Sequence, residues 1–163
     1  MKIALLIVDM QIGFLQEERL KPKVTKACEH INYVSDMLRN GGHTIIHVQD
    51  VEVEGGEDSD NFEIIPNVTV ADADLFLRKE WSNAFWKTDL ERLLVDQGVS
   101  FVIVAGFAAE HCVLFTFNGA IERGFKTAIL HGGIISRHED VMDMTYRERF
   151  IISYPAIEFM LSQ

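Results

Sequence analysis

The chain has 163 residues, of which 48% are apolar and 25% charged, with only 3 Pro and 11 Gly. This composition excludes a disordered, collagen-like or low-complexity protein, and the length suits one ordinary domain. The 25 acidic residues outnumber the 15 basic ones, for a formal net charge of −10. Such a surface repels phosphate backbones and anionic lipids, so we expect neither nucleic acid nor a membrane as a partner.

The first predicted element is a buried strand. Ile3–Val8 is a continuous apolar run that ends in the carboxylate of Asp9, a pattern typical of the middle of a parallel sheet. The run is too short for a signal peptide or a membrane span, and we therefore expect a cytoplasmic protein. Four similar runs and a weaker sixth predict further strands, at 44–48, 74–77, 101–105, 128–130 and 150–152.

Helical patterns alternate with these strands. Apolar spacing, glycine stops and two S/T-x-x-E capping patterns predict helices over 24–38, 88–98, 110–124 and from 136 onward. The alternation predicts an α/β fold of three layers, with a mostly parallel six-stranded sheet between helices on both faces. No repeat or linker divides the chain, so we expect residues 1–163 to form a single domain.

The longest irregular segment, 51–69, is acidic. One interpretation is a solvated surface loop, and the other is a cation site or a lid over an active site. The acidic residues are Glu52, Glu54, Glu57, Asp58, Asp60 and Glu63.

Polar residues at the ends of the predicted strands form the candidate site. Ligands of an open parallel sheet bind at the carboxyl ends of its strands. Asp9, Lys79 and Cys112 each follow or end such a strand, so an acid, an amine and a thiol arrive at one edge of the sheet. This set is typical of an activated cysteine nucleophile, with Asp9 as base and Lys79 as electrostatic partner.

The position of Cys112 favours the same interpretation. It falls in the first turn of a predicted helix, where unpaired N–H groups and the helix dipole lower a thiol pKa and can stabilise an oxyanion. The alternatives are structural: an inert thiol, a turn capped by Asp9 and an ion pair of Lys79 with Glu80. Cys28 lies on the apolar stripe of its helix and is expected in the core.

Three blocks of the sequence together resemble the isochorismatase-like cysteine hydrolases, the family that includes nicotinamidases and carbamoylsarcosine amidases. Residues 9–14, DMQIGF, are similar to the family's first-strand motif DMQNDF. Residues 79–90, KEWSNAFWKTDL, are similar to its K-x-x-x-SAF-x-x-T-x-L signature. Residues 106–124 are similar to its G-x-x-T-x-x-CV-x-x-T-x-x-x-A-x-x-x-G segment. The blocks occur in family order and span nearly the whole chain.

The resemblance implies a catalytic triad of Asp9, Lys79 and Cys112. It also implies a cis peptide bond between Phe107 and Ala108, and an oxyanion hole made by the N–H groups of Ala108 and Cys112. The implied reaction is hydrolysis of a small amide-like C–N bond through a cysteine thioester, with a small-molecule substrate and no cofactor. A homodimer or larger homo-oligomer is implied as well.

The metal site of nicotinamidases is expected to be absent. In the nicotinamidases that this chain resembles, the ligands are usually an Asp-x-His pair and a further His. Asp50 is followed here by Val51 and Glu52, so the histidine of the pair is missing. No histidine lies between His47 and His111 to supply the other ligand. A lone carboxylate does not make a site for zinc or iron.

Other departures from the family pattern leave an alternative function open. Ala109-Glu110 replaces the usual Thr-Asp before the cysteine, and Ile12-Gly13 replaces Asn-Asp. A catalytically silent family member, serving as a binding or assembly module, is therefore the second hypothesis. A redox-active thiol is a third, which needs a resolving partner that Cys28 is not placed to supply. True isochorismatases generally lack the cysteine, so Cys112 argues against that activity.

Four aromatic residues flank the three blocks and are candidates for lining the substrate pocket. Core packing is the alternative for each of them. Because the chain is short for the family, we expect trimmed pocket loops and a small substrate. The four residues are Phe14, Trp81, Trp86 and Phe107.

Overall fold

A computed structural model describes all residues from 1 to 163. The chain folds into six strands and six α-helices, with single 3-10 turns at Glu18–Leu20 and Asp60–Phe62. In chain order the elements are β1 (Ile3–Val8), α1 (Ile12–Leu15), α2 (Lys21–Asn40), β2 (Thr44–Asp50), β3 (Leu75–Lys79), α3 (Leu90–Asp96), β4 (Phe101–Phe107), α4 (Cys112–Glu122), β5 (Lys126–Ile135), α5 (Glu139–Glu148), β6 (Ile151–Ile152) and α6 (Tyr154–Leu161).

The strands form one six-stranded sheet in the order β3-β2-β1-β4-β5-β6, and every neighbouring pair is parallel. The predicted fold class is therefore confirmed. Strand β1 is central, and its last residue, Val8, lies opposite Val48 of β2 and Gly106 of β4. The carboxyl ends of β1 to β4 consequently meet at one edge of the sheet.

Successive residues of β1 face two separate hydrophobic cores. Ile3, Leu5 and Ile7 pack against the layer of α2 and α6, while the intervening residues pack against α3 and α4. All six residues of β1 are buried, as a strand covered on both faces requires. None of the helices combines the length and the hydropathy that crossing a membrane requires.

The acidic segment 51–69 lies on the surface. Its six acidic side chains are exposed and do not gather into a group of metal-ligand geometry. The segment is anchored instead by four buried apolar residues, which favours the interpretation as a solvated loop. The anchors are Val53, Phe62, Ile65 and Val68.

The two predicted capping boxes do not form. Helix α3 begins at Leu90, two residues after Thr88, whose hydroxyl donates to the carbonyl of Ala84. The Ser136 hydroxyl donates to Glu110, and α5 begins only at Glu139. Each hydroxyl oxygen accepts an N–H from two residues further on, Leu90 and His138, so a local turn forms in place of the expected capping box.

Gly106 allows the close approach of β4 to β1 beside the site. Its φ is +112°, and a Cβ atom there would lie 2.1 Å from the carbonyl oxygen of Val8. We expect Gly106→Ala to lower the free energy of unfolding by about 3 kcal/mol, because backbone of the central strand cannot move aside. Urea denaturation measures this loss.

Gly42→Ala is the matched control for that substitution. Gly42 has φ +69° and no heavy atom within 4 Å of a built Cβ. Its substitution should therefore lower the free energy of unfolding by only about 1 kcal/mol, the strain of an alanine in the left-handed conformation. Equal losses for the two variants would contradict the collision at Gly106.

Candidate active site

Four side chains meet at the carboxyl edge of the sheet. Asp9 follows β1, Asp50 ends β2, Lys79 ends β3 and Cys112 begins α4. The Lys79 Nζ lies 2.9 Å from Asp9 Oδ2, 2.6 Å from Asp50 Oδ2 and 3.5 Å from Cys112 Sγ. The structure thus brings the acid, the amine and the thiol singled out in the sequence together, and it adds a second carboxylate.

The backbone at Asp9 turns out of the sheet immediately after β1. Asp9 has φ +50°, a left-handed conformation that is uncommon for residues other than glycine, and its N–H donates to the carbonyl of Val48. The carboxylate is 2% exposed, and its Oδ1 has no hydrogen-bond partner. One buried oxygen of Asp9 therefore binds Lys79 while the other is free to accept a proton.

Burial and charge together set the protonation of the acid and the amine. Burial raises the pKa of Asp9 to about 6, although the neighbouring Lys79 opposes the shift. Burial on its own would lower the pKa of Lys79, but the carboxylates of Asp9 and Asp50 raise it above its ordinary value. At neutral pH the pair of Asp9 and Lys79 consequently consists of a carboxylate and an ammonium.

The thiol differs from the sequence-based expectation. Burial and, after it, the negative charge of Asp9 raise the pKa of Cys112 to about 12, while Lys79 acts in the opposite direction. The expectation of a lowered thiol pKa is therefore not met, because burial and the carboxylates outweigh Lys79. A half-buried sulfur beside two carboxylates gains more from keeping its proton than it gains from the helix dipole.

The segment before α4 leaves two N–H groups without acceptors. The peptide bond between Phe107 and Ala108 is cis. The Ala108 carbonyl accepts hydrogen bonds from His111 and Val113, and the Ala109 N–H donates to Ile135. The N–H groups of Ala108 and Cys112 donate to no acceptor within the protein. One of these N–H groups belongs to the cysteine that starts the helix, and the other lies four residues before it.

The two residues that depart from the family pattern before the cysteine are themselves well packed. Ala109 is buried, and Glu110 accepts a hydrogen bond from the Ser136 hydroxyl at 3.1 Å. The Ser136 carbonyl also accepts from Lys23. The Glu110 carboxylate is thus tied to the end of β5, which helps to hold this segment in place.

Three side chains of the site have the spacing of metal ligands, and a lysine lies among them. Asp9, Asp50 and Cys112 offer ligand atoms within 4.8 Å of one another. The Lys79 ammonium, however, already contacts both carboxylates and the sulfur, and its positive charge opposes a divalent cation there. The Glu52 side chain, at the position where the Asp-x-His pattern needs a histidine, is exposed.

Sequence reasoning did not assign Asp50 and Gln11 to this site. The Gln11 side chain is completely buried; its Oε1 accepts from the Asp50 N–H at 2.7 Å, and its Nε2 donates to the carbonyl of Asp50. Asp50 has the same signal that pointed to Asp9, a carboxylate at the end of a buried strand. Gln11 lies within the first motif block, but no sequence pattern indicates that it binds the backbone of Asp50.

The four candidate pocket residues fall into two groups. Trp81 and Trp86 are about half exposed, 49% and 52%, and line a cleft of about 240 Å³ that Lys79 also borders. The rings of Phe14 and Phe107 stack with their centroids 6.3 Å apart, and the guanidinium of Arg137 lies over Phe107. Phe107 is buried in the core, and the pocket roles of all four residues stay predictions.

Comparison with known proteins identifies relatives across most of the chain. The sequence profile of the isochorismatase domain matches residues 3–150. An uncharacterized isochorismatase family protein, YaaI of Bacillus subtilis (strain 168), is 33% identical over 149 residues, which cover 84% of this chain and 82% of that protein.

Two further likenesses are to enzymes, one in sequence and one in structure. Streptothricin hydrolase of Streptomyces noursei is 28% identical over 131 residues, 78% of this chain and 52% of that enzyme. The crystal structure of N-carbamoylsarcosine amidase from Thermoplasma acidophilum superimposes with a TM-score of 0.80 at 23% identity, covering 94% of this chain and 95% of the other. This last likeness shows a shared fold.

Proposed function

The chain belongs to the isochorismatase-like hydrolase family, and on that premise we propose that it is a metal-independent cysteine hydrolase that cleaves a small amide-like C–N bond. The observation that carries the proposal is the contact of Lys79 with both Asp9 and Cys112. A buried base, a cation and a thiol at these distances have the composition that covalent catalysis by cysteine requires. The similarity to streptothricin hydrolase supports hydrolysis as the reaction.

In the first half of the reaction, Asp9 removes the proton of the Cys112 thiol as the sulfur attacks the carbonyl carbon. With its pKa near 6, Asp9 is a stronger base than an ordinary carboxylate. Lys79 stabilises the negative charge on the sulfur. The free N–H groups of Ala108 and Cys112 are the groups suited to bind the oxyanion of the tetrahedral intermediate.

In the second half, Asp9 returns the proton to the leaving nitrogen, the C–N bond of the tetrahedral intermediate breaks, and the amine departs and leaves the Cys112 thioester. Water then attacks the thioester while Asp9 accepts its proton, and the sulfur leaves and is protonated again. The net reaction consumes one water and yields an acid and an amine or ammonia. Lys79 supplies the positive charge of the site, which supports a mechanism without a metal.

The substrate is proposed to be small. The cleft that Lys79 borders holds about 240 Å³, and its two half-exposed tryptophans suit a flat or apolar part of the substrate. Asp9 and Cys112 do not line this cleft, so the proposal places the scissile bond beyond its Lys79 end. Phe14 and Phe107 stay proposed pocket residues because of their places in the first and third sequence blocks. A homo-oligomer remains a proposal from the family resemblance alone.

The direct test is a panel of small primary amides and N-carbamoyl compounds, assayed by ammonia release. We expect at least one to turn over and a Cys112 acyl-enzyme to accumulate, seen as a mass increase of the intact protein. Hydroxylamine should intercept this thioester as a hydroxamate. A protein that binds such compounds without releasing ammonia or acylating Cys112 would support the alternative of a silent binding or assembly module.

The pH dependence of kcat/KM should report the ionisation of Asp9. Because only the carboxylate can accept the thiol proton, kcat/KM should fall as pH drops through about 6. Asp9→Asn should remove this acid limb together with most of the activity. The exposed Asp58→Asn serves as the matched control and should leave the profile unchanged. A profile that stays flat between pH 5 and 7 would contradict the assignment of Asp9 as base.

A further inference from the structure

We propose that Asp50 is a positioning residue that shares the Lys79 ammonium with Asp9 and thereby keeps the Cys112 sulfur a neutral thiol until substrate binds. The inference rests on the proposed function in one respect, that Cys112 is the nucleophile. It assigns a role to a carboxylate that the reaction steps above do not use.

Lys79 contacts Asp50, Asp9 and the Cys112 sulfur at increasing distances. The Lys79 side chain is fully buried, so its ammonium can be neutralised only by the groups around it. Its contact with Asp50 is the shortest, 2.6 Å, against 2.9 Å for Asp9 and 3.5 Å for the sulfur. Asp50 therefore competes with a Cys112 thiolate for the same cation.

The position of Asp50 is fixed by hydrogen bonds on its other sides. Gln11 holds the Asp50 backbone through both its N–H and its carbonyl. The Asp50 Oδ1 accepts the N–H of Glu52 at 2.9 Å, which leaves Oδ2 for Lys79. The side chain is only 13% exposed, so water screens its charge weakly. These contacts make Asp50 a fixed counter-ion.

Burial of the sulfur, and after it the charges that face it, keep Cys112 protonated. Asp9 after β1, Asp50 at the end of β2 and Lys79 at the end of β3 are the charged groups around Cys112. Along the chain, Glu110 is turned to Ser136, and His111 is exposed. A thiolate would add a third negative charge beside a single positive one. During the reaction this excess never arises, because the thiol proton passes to Asp9 and the net charge is unchanged.

The test measures alkylation of Cys112 by iodoacetamide as a function of pH, in a Cys28→Ala background. We expect Asp50→Asn to react at least roughly tenfold faster at pH 7, because removing one adjacent charge lowers the thiol pKa by about one unit. The absorbance of the thiolate near 240 nm should appear at correspondingly lower pH. Asp50→Glu keeps the charge and should stay close to the wild-type rate.

Glu52→Gln is the matched control, since it removes an exposed charge two residues away and should leave alkylation unchanged. If Asp50→Asn does not fold, Asp50→Ser provides the same test. Alkylation of the neutral variants at or below the wild-type rate would overturn the inference. If the wild type nevertheless turns over an amide, only the role of Asp50 is contradicted and the proposed function is supported. Faster alkylation without turnover on any amide would support the inference and count against the function.

Discussion

Cys112→Ala is expected to lower kcat for amide hydrolysis by on the order of 10³-fold or more, since removing the nucleophile of a covalent mechanism abolishes its first bond-forming step. The variant should still bind substrate, because the carboxylates, Lys79 and the tryptophan cleft are untouched. It should also fail to show the mass increase of an acyl-enzyme. Ammonia release and intact mass, followed on the same samples, measure both effects.

Cys28→Ala is the matched control for the loss of a thiol. Cys28 lies in the core on α2, and burial raises its pKa to about 11, so it offers no thiolate near neutral pH. We expect this variant to keep full activity while losing a little stability. Full turnover by Cys112→Ala would exclude the thioester mechanism.

The sheet and the meeting of Asp9, Lys79 and Cys112 could be predicted from the sequence because both follow from one pattern. Ile3–Val8 is apolar at every position, which only a strand covered on both faces tolerates, and parallel strands bring their carboxyl ends to one edge. A polar residue directly after such a strand can therefore be assigned to this edge of the sheet even when its contacts are unknown. The departures of Ala109 and Glu110 leave this placement intact.

Other features depend on contacts that no local pattern reveals. Helix α6 is short, and its buried Ile157 packs against a core built largely by α2 and the sheet. The place of Asp50 in the site depends on Gln11, which is 39 residues away in the chain. The protonation of Cys112 depends on how deeply the sulfur lies and on two carboxylates from distant strands, which outweigh the local effect of the helix start.

The packing of the site also connects its chemistry to the stability of the fold. Lys79 is fully buried between carboxylates from β1 and β2, so the same contacts that prepare the nucleophile hold three strand ends together. A buried ion pair adds little net stability compared with apolar packing, yet removing one partner leaves an uncompensated charge. Lys79 is therefore the position where loss of activity and loss of stability should coincide.

Lys79→Met is expected to abolish turnover and to lower the free energy of unfolding at pH 8 by about 3–5 kcal/mol. Without the ammonium, the pKa of Asp9 in the folded protein should rise further above its unfolded value. The folded state then binds more protons than the unfolded state, so stability is retained at low pH and lost as pH rises through the folded pKa. Urea denaturation at pH 5 and pH 8 should thus show a much smaller loss at pH 5. Lys126→Met, at an exposed lysine without an ion pair, is the control and should unfold like the wild type at both pH values. A loss of stability in Lys79→Met that is the same at pH 5 and pH 8 would show that Lys79 does not stabilise the ionised carboxylates.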